Sequence, residues 1–179
     1  VAKCAVKAKV DSFIHMSSSA IYGCPDEEPI TIETPTNPVE IYGESKLEGE
    51  RRVISVCKHA NLPLTVIRPR TILGQERLGI FKLLFDWIHD HKKIYIIGSG
   101  QGLFQFIHAI DLMSFYMLTV NQHCPGIYNV GTTHFSSLRC ELETLIKSVG
   151  SRSKVISLPE TFSIKTLTFL DKLGLSPLA

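Results

Sequence analysis

Residues 12–23 read SFIHMSSSAIYG, and the change of character inside them sets the architecture. Phe13, Ile14 and Met16 lie in a short apolar run of buried-strand type, which gives way at Ser17 to three consecutive hydroxyls and a loop. A strand whose end opens into small polar residues is the usual place for ligand contact in an open α/β sheet. Upstream, residues 1–10 have the Ala and Lys content of the end of a helix, with no N-cap before them, so the chain reads as starting in mid-element. Downstream, Tyr22 to Pro38 carries four prolines and several acidic residues, the composition of an extended loop.

The same alternation continues outward. A helix is expected to begin at Pro38 and run through VEIYGESKLEGERRVISVCKHA to Asn61, followed by LPLTVIRP as a strand stopped by Pro69. RLGIFKLLFDWIHDHK reads as a helix, IYIIGSG as strand and turn, IDLMSFYMLTVNQ as a helix and GIYNVGT as a strand. SLRCELETLIKSVG reads as a helix capped by Ser137, KVISLP as a strand and FSIKTLTFLDKLG as a closing helix. Strands alternating with helices predict a layered α/β fold on a largely parallel sheet.

The bulk numbers narrow the classes. The chain has 179 residues, 44% hydrophobic and 20% charged, enough to bury one domain-sized core. A net charge of +2 with no long run of like charge argues against nucleic acid or an anionic membrane as partner. Five scattered cysteines without CxxC spacing predict reduced thiols in the cytoplasm and no metal site. No apolar stretch approaches the length of a membrane span, and the N-terminus lacks the features of a signal peptide.

The chemistry centres on IYGESK, residues 41–46. On a helix, Tyr42 and Lys46 share one face, and an ammonium beside a phenol favours release of its proton. Such a pair is common and says little alone. Its weight comes from Ser17, Ser18 and Ser19 at a strand end, with Ser18 lying 24 residues before Tyr42 across the Pro-rich loop.

HMSSSAIYG, PVEIYGESKLEGE, TVIRPRTILG, FQFIHAIDL, IYNVGT and the terminal LGLSPLA, in that order, resemble successive landmarks of the extended short-chain dehydrogenases/reductases, the NAD-dependent epimerase/dehydratase family acting on nucleotide sugars. The resemblance implies a Rossmann-like, doubly wound, mostly parallel sheet that lacks its first βαβ units through N-terminal truncation, with a smaller α/β substrate-binding part. It assigns residues 1–75 to the later part of the NAD-binding domain and 76–179 mainly to the substrate domain, with 105–133 returning to the first. It also implies Ser18, Tyr42 and Lys46 as the catalytic residues, with Tyr42 as acid/base.

Cofactor contacts are expected at Ser17, Tyr42, Lys46 and Pro69, and substrate contacts at Ser18, Ser19, Arg70 and His108. The implied cofactor is NAD, with NADP left open, and the implied substrate is a nucleotide sugar. A homodimer is expected by resemblance only. Ser19 and Ala20 stand where the family's dehydratases carry an Asp-Glu pair, which favours epimerase or oxidoreductase activity over dehydration. Gly98, Gly100 and Gly102 do not form a dinucleotide fingerprint, because Leu103 stands at its third glycine position. Without the glycine-rich turn, the chain as given is expected to be weakly active or inactive. GLFQFIH lacks a basic residue where many relatives have one, at Leu103. That leaves room for a reductase of a non-sugar carbonyl compound, or for a non-catalytic binding module that kept the fold.

Overall fold

Periodicity of two along the strands and directional contacts along one helix place the residues of interest. The computed structural model describes residues 1–25, 28–75, 81–161 and 163. In chain order the elements are α1 (Ala2–Lys7), β1 (Phe13–Met16), a 3-10 turn (Ser19–Tyr22), α2 (Ile41–His59), β2 (Leu64–Pro69) and β3 (Thr71–Leu73). There follow α3 (Phe81–His89), β4 (Ile94–Ile97), β5 (Leu103–Phe104), β6 (Phe106–His108) and α4 (Ala109–Gln122). The last are β7 (Gly126–Val130), β8 (Ser136–Ser137), α5 (Leu138–Ser148) and β9 (Val155–Leu158). They form two compact units, Val1–Gly74 with Gln105–Thr133, and Gln75–Phe104 with His134–Ala179.

In the first unit β1, β2 and β7 make a parallel sheet in that order, with Met16 opposite Ile67 and Pro69 opposite Val130. Beside it, β3 pairs in parallel with β6. Alternate residues of each strand face opposite sides. Ile14, Met16, Ile67, Tyr128 and Val130 meet Leu112 and Phe115 of α4 in an apolar cluster. His15, Arg68 and Asn129 face the other side, where Arg68 bonds to Glu50 of α2. The sheet is therefore covered by helices on both faces, one contact apolar and the other polar.

The second unit holds parallel β4 and β9 and antiparallel β5 and β8. Its core is Ile88, Ile94, Ile96, Leu142 and Ile146. Ser137 caps α5, its hydroxyl accepting from the Cys140 amide at 3.3 Å.

Some elements differ from the sequence expectation. Helix α2 begins at Ile41 instead of Pro38, because Glu40 is still extended, at φ −131°, and the first intrahelical carbonyl is its own. The strands β3, β5, β6 and β8 are two or three residues long, too short to show a period. The expected closing helix FSIKTLTFLDKLG lies outside the described residues apart from Ser163. Among the described residues no helix is long and apolar enough to cross a membrane.

Candidate active site

The first turn of α2 packs against the 3-10 turn that follows β1, and two glycines permit the approach. A Cβ on Gly43 would lie 2.7 Å from the Ala20 carbonyl oxygen and 2.9 Å from Pro38 Cβ. Gly23, at φ +63°, ends the 3-10 turn with the Asn37 carbonyl where its own Cβ would be. The glycine inside YGESK, unfavourable for a helix in isolation, is thus the point where the two segments touch.

That contact brings the hydroxyls and the YxxxK face to one end of the sheet. Tyr42 is 55% exposed, and the Lys46 ammonium stands 5.7 Å from the centre of its ring. Lys46 Nζ also donates to the Met16 carbonyl at 3.5 Å, tying the helix to the end of β1. The Ser18 hydroxyl accepts from the Ala20 amide at 3.2 Å, capping the 3-10 turn. Its own proton has no acceptor among the described residues, so it is free to donate to a bound oxygen. Ser18 is half-buried and Tyr42 is open to solvent, so neither is sealed inside packing.

Beneath this surface lies a buried polar network. Arg68, 5% exposed, donates through Nη2 and Nε to Glu50 at 2.5 and 3.2 Å, and through Nη1 to the Tyr22 hydroxyl at 2.6 Å. Tyr22 passes its proton to Asn129 Oδ1 at 2.8 Å. Burial pushes the Glu50 carboxyl upward, but the hydrogen bonds from Arg68 and the guanidinium charge outweigh it and hold the group below its ordinary value. Burial works against the Arg68 charge too, and Glu50 and Tyr22 overcome it, raising the guanidinium above its usual value. His15 is lowered by burial, with Lys46 adding to the shift and Glu50 opposing it. Its Nε2 has no hydrogen-bond partner among the described residues.

The residues singled out in the sequence fall into three groups. Ser18, Ser19, Tyr42, Lys46 and Arg70 gather around the end of β1 and the start of α2, with Arg70 Nη1 3.5 Å from Ser19 Oγ. Ser17, expected as a cofactor contact, is enclosed. It is 3% exposed, its hydroxyl is enclosed beside Glu50, and its amide bonds to the Ile67 carbonyl. The physical reason is the strand period: Ser17 continues the face of His15, which looks under α2. Pro69 is buried at the end of β2, paired with Val130. His108 is exposed and caps α4, its Nδ1 accepting from the Ile110 amide at 3.3 Å, and no contact joins it to the serines or Tyr42.

Sequence reasoning gave no role to His15, Tyr22, Glu50 and Asn129, and offered Arg68 only as an anion contact beside Arg70, where the fold pairs it with Glu50 and Tyr22. Glu50 had a signal: it lies four residues after Lys46, one turn on along the same side of the helix. Arg68 had another, as a charge inside an apolar strand. A hollow of about 550 Å³ lies under the Pro-rich loop, bordered by Tyr22, Cys24, Pro29, Thr34 and Asn37. Ser18, Tyr42 and Lys46 are not among its lining residues.

These residues gather at the end of a parallel sheet. Residues 1–131 match the model of the NAD dependent epimerase/dehydratase family, and the chain belongs to that family. It is 36% identical over 177 residues, 97% of its length, to the uncharacterized protein y4nG of Sinorhizobium fredii (strain NBRC 101917 / NGR234). It covers 44% of that protein, so it spans less than half the length of this relative. Among solved structures it resembles a UDP-N-acetylglucosamine 4-epimerase from Methanobrevibacter ruminantium M1 in complex with UDP-N-acetylmuramic acid. The TM-score is 0.78 at 19% identity, over 88% of this chain and 53% of that one. It also resembles a dTDP-glucose 4,6-dehydratase (rfbB) from Bacillus anthracis str. Ames in complex with NAD, with a TM-score of 0.73 at 21% identity, over 88% and 53%. The α/β fold with its parallel sheet is thus Rossmann-like and matches about half of such enzymes.

Proposed function

We propose that this chain carries the proton-transfer half of an NAD-dependent epimerase or oxidoreductase acting on a nucleotide sugar. The observation that supports it most is the exposed Tyr42 phenol beside the Lys46 ammonium, on a helical turn that packs through Gly43 against Ala20, two residues after the Ser18 hydroxyl. Ser18 donates to the substrate oxygen and orients it. Tyr42 accepts a proton from the substrate hydroxyl, or returns one to the carbonyl, and Lys46 keeps a positive charge beside its ring.

Tyr42 and Lys46 suit the nicotinamide-ribose end of NAD, since both present polar atoms beside the ends of β1 and β2. Among the described residues no glycine-rich turn opens a helix beside them to receive the pyrophosphate. The Gly98–Gly102 loop is occupied instead by α5, with the Arg139 amide on the Gly100 carbonyl and the Leu138 amide on the Gly102 carbonyl. A bound nicotinamide would exchange the hydride at the carbon whose oxygen Ser18 and Tyr42 hold. Ser19 and Ala20 hold no carboxyl that could protonate or deprotonate neighbouring carbons, which favours epimerisation or simple oxidation over dehydration. The unit of Val1–Gly74 and Gln105–Thr133 is assigned the cofactor and proton transfer, and the other unit the body of the substrate.

The test is turnover of a panel of UDP- and dTDP-hexoses by a protein carrying this segment at the length of its relatives, read as epimer formation or NADH absorbance. Tyr42→Phe is expected to lower kcat by roughly 10²–10⁴-fold, the usual range for a general acid or base. Its fold should survive, because the phenol makes no hydrogen bond among the described residues. A Tyr42→Phe enzyme of normal kcat would remove this reading.

A further inference from the structure

We infer that Arg70 is a specificity-determining residue that pairs with a carboxylate carried by the substrate close to the carbon held by Ser18 and Tyr42. The inference rests on the proton-transfer reading of that site and adds to it the charge of the substrate.

Charge accounting around the site carries it. Arg68 and Arg70 flank Pro69 at the end of β2, yet their environments differ. Arg68 is neutralised by two bonds to Glu50 and a third to Tyr22. The Arg70 backbone is fixed by its amide bond to the Val130 carbonyl, and its half-buried side chain reaches only the Ser19 hydroxyl, at 3.5 Å. No carboxylate pairs with it among the described residues, and none pairs with Lys46. Two cations therefore border the Met16–Ser19 segment without counter-charge. Lys46 is engaged by the Met16 carbonyl and the Tyr42 ring, which leaves Arg70 as the free one.

The geometry favours a carboxylate over a phosphate. A guanidinium edge with an adjacent hydroxyl offers a small planar donor set and one positive charge, which complements a planar group of one negative charge. The diphosphate of a nucleotide sugar hangs from the anomeric oxygen, away from the ring carbinol carbons, and is held more often by several cations or by a row of backbone amides. A carboxylate is also the anion that can sit one or two bonds from a carbinol carbon, as in a hexuronate.

The experiment titrates the ¹⁵N-labelled chain with glucuronate, glucose and inorganic phosphate at constant ionic strength. It follows the Arg70 Nε–H and Ser19 amide signals by NMR. A saturable shift with glucuronate, absent with glucose and stronger than with phosphate, is expected. Arg70→Met should weaken glucuronate binding roughly 10- to 100-fold, the range for a hydrogen bond to a charged group. Arg70→Lys should fall between, keeping the charge and losing the fork.

Each contrary outcome is decisive. Equal responses to glucose and glucuronate, tighter binding of phosphate, unaltered affinity in Arg70→Met, or no saturation by about 100 mM glucuronate would overturn the assignment. The amide spectrum of each variant shows separately whether it has folded. Failure of the catalytic reading looks different, because a chain that binds glucuronate through Arg70 while a longer protein shows no Tyr42-dependent turnover keeps the anion site and loses the enzyme.

Discussion

Replacing Glu50 by Gln tests the network that holds α2 on the sheet. Glu50 is 2% exposed and accepts from two guanidinium nitrogens of Arg68, itself 5% exposed. Gln keeps the shape but offers one acceptor, turns an NH₂ group toward a second donor and removes the counter-charge. Breaking a buried pair from one side destabilises by about 3–5 kcal/mol, because the remaining charge is left uncompensated. Removing both charges with Glu50→Leu and Arg68→Met is expected to destabilise less than Glu50→Gln alone, since Tyr22 still donates to Asn129.

Native-state hydrogen exchange of the β2 amides reads the opening of this sheet directly. Acid adds a second readout. Glu50 is held below its ordinary value in the folded state, so its contribution is complete above the unfolded carboxyl range, about 4.3. It is lost as pH falls through the depressed folded value. Glu50→Gln should erase that acid limb. A single variant that loses under about 1 kcal/mol, or a double variant that loses the sum of the two single changes, would refute the account.

Two further predictions use the same helix and sheet. Gly43→Ala should destabilise by about 1–3 kcal/mol, because the new methyl meets the Ala20 carbonyl, a backbone atom that cannot swing aside. Gly49→Ala, in the same helix with nothing within 4 Å of the added Cβ, should stabilise by about 0.5–1 kcal/mol. Urea titrations of the pair check the opposite signs. For His15, whose folded value is lowered by burial, stability is complete above the unfolded value of about 6.5 and falls as pH drops below it. His15→Phe should flatten the decline between about pH 7 and 5, although Glu50 and Lys46 still face the position from α2.

Legibility followed period and length. LPLTVIRP, IYIIGSG, GIYNVGT and KVISLP were readable as strands because each buries several consecutive or alternating apolar residues. The three-residue β3 and β6 hold no period, and their pairing comes from the approach of distant segments. At the site, spacing along α2 brought out Tyr42 and Lys46, while extending the same step to Glu50 would have found the anchor. Counting by two from Phe13 through His15 would have shown Ser17 to lie under the helix. Partnership could not be read at all: Arg68 and Arg70 look alike in sequence, and only the fold gives Glu50 to one of them.

The two faces of the sheet show why the polar face lies under α2. On the α4 side Ile67, Leu112, Phe115 and Val130 pack through dispersion and burial, forces that vary gently with sliding or rotation. Only Gly43, Leu47, Glu50 and Cys57 are buried along the 19 residues of α2, too few apolar groups to fix its rotation. Its phase is set by directional contacts: the Gly43 approach to Ala20, the Lys46 bond to Met16 and the paired bonds at Glu50. A one-residue rotation of about 100° would break all three and re-aim Tyr42. Hydrogen bonds that fail on rotation fix the angle of Tyr42 more sharply than an apolar seam that tolerates it, which is what the proposed role of the phenol requires.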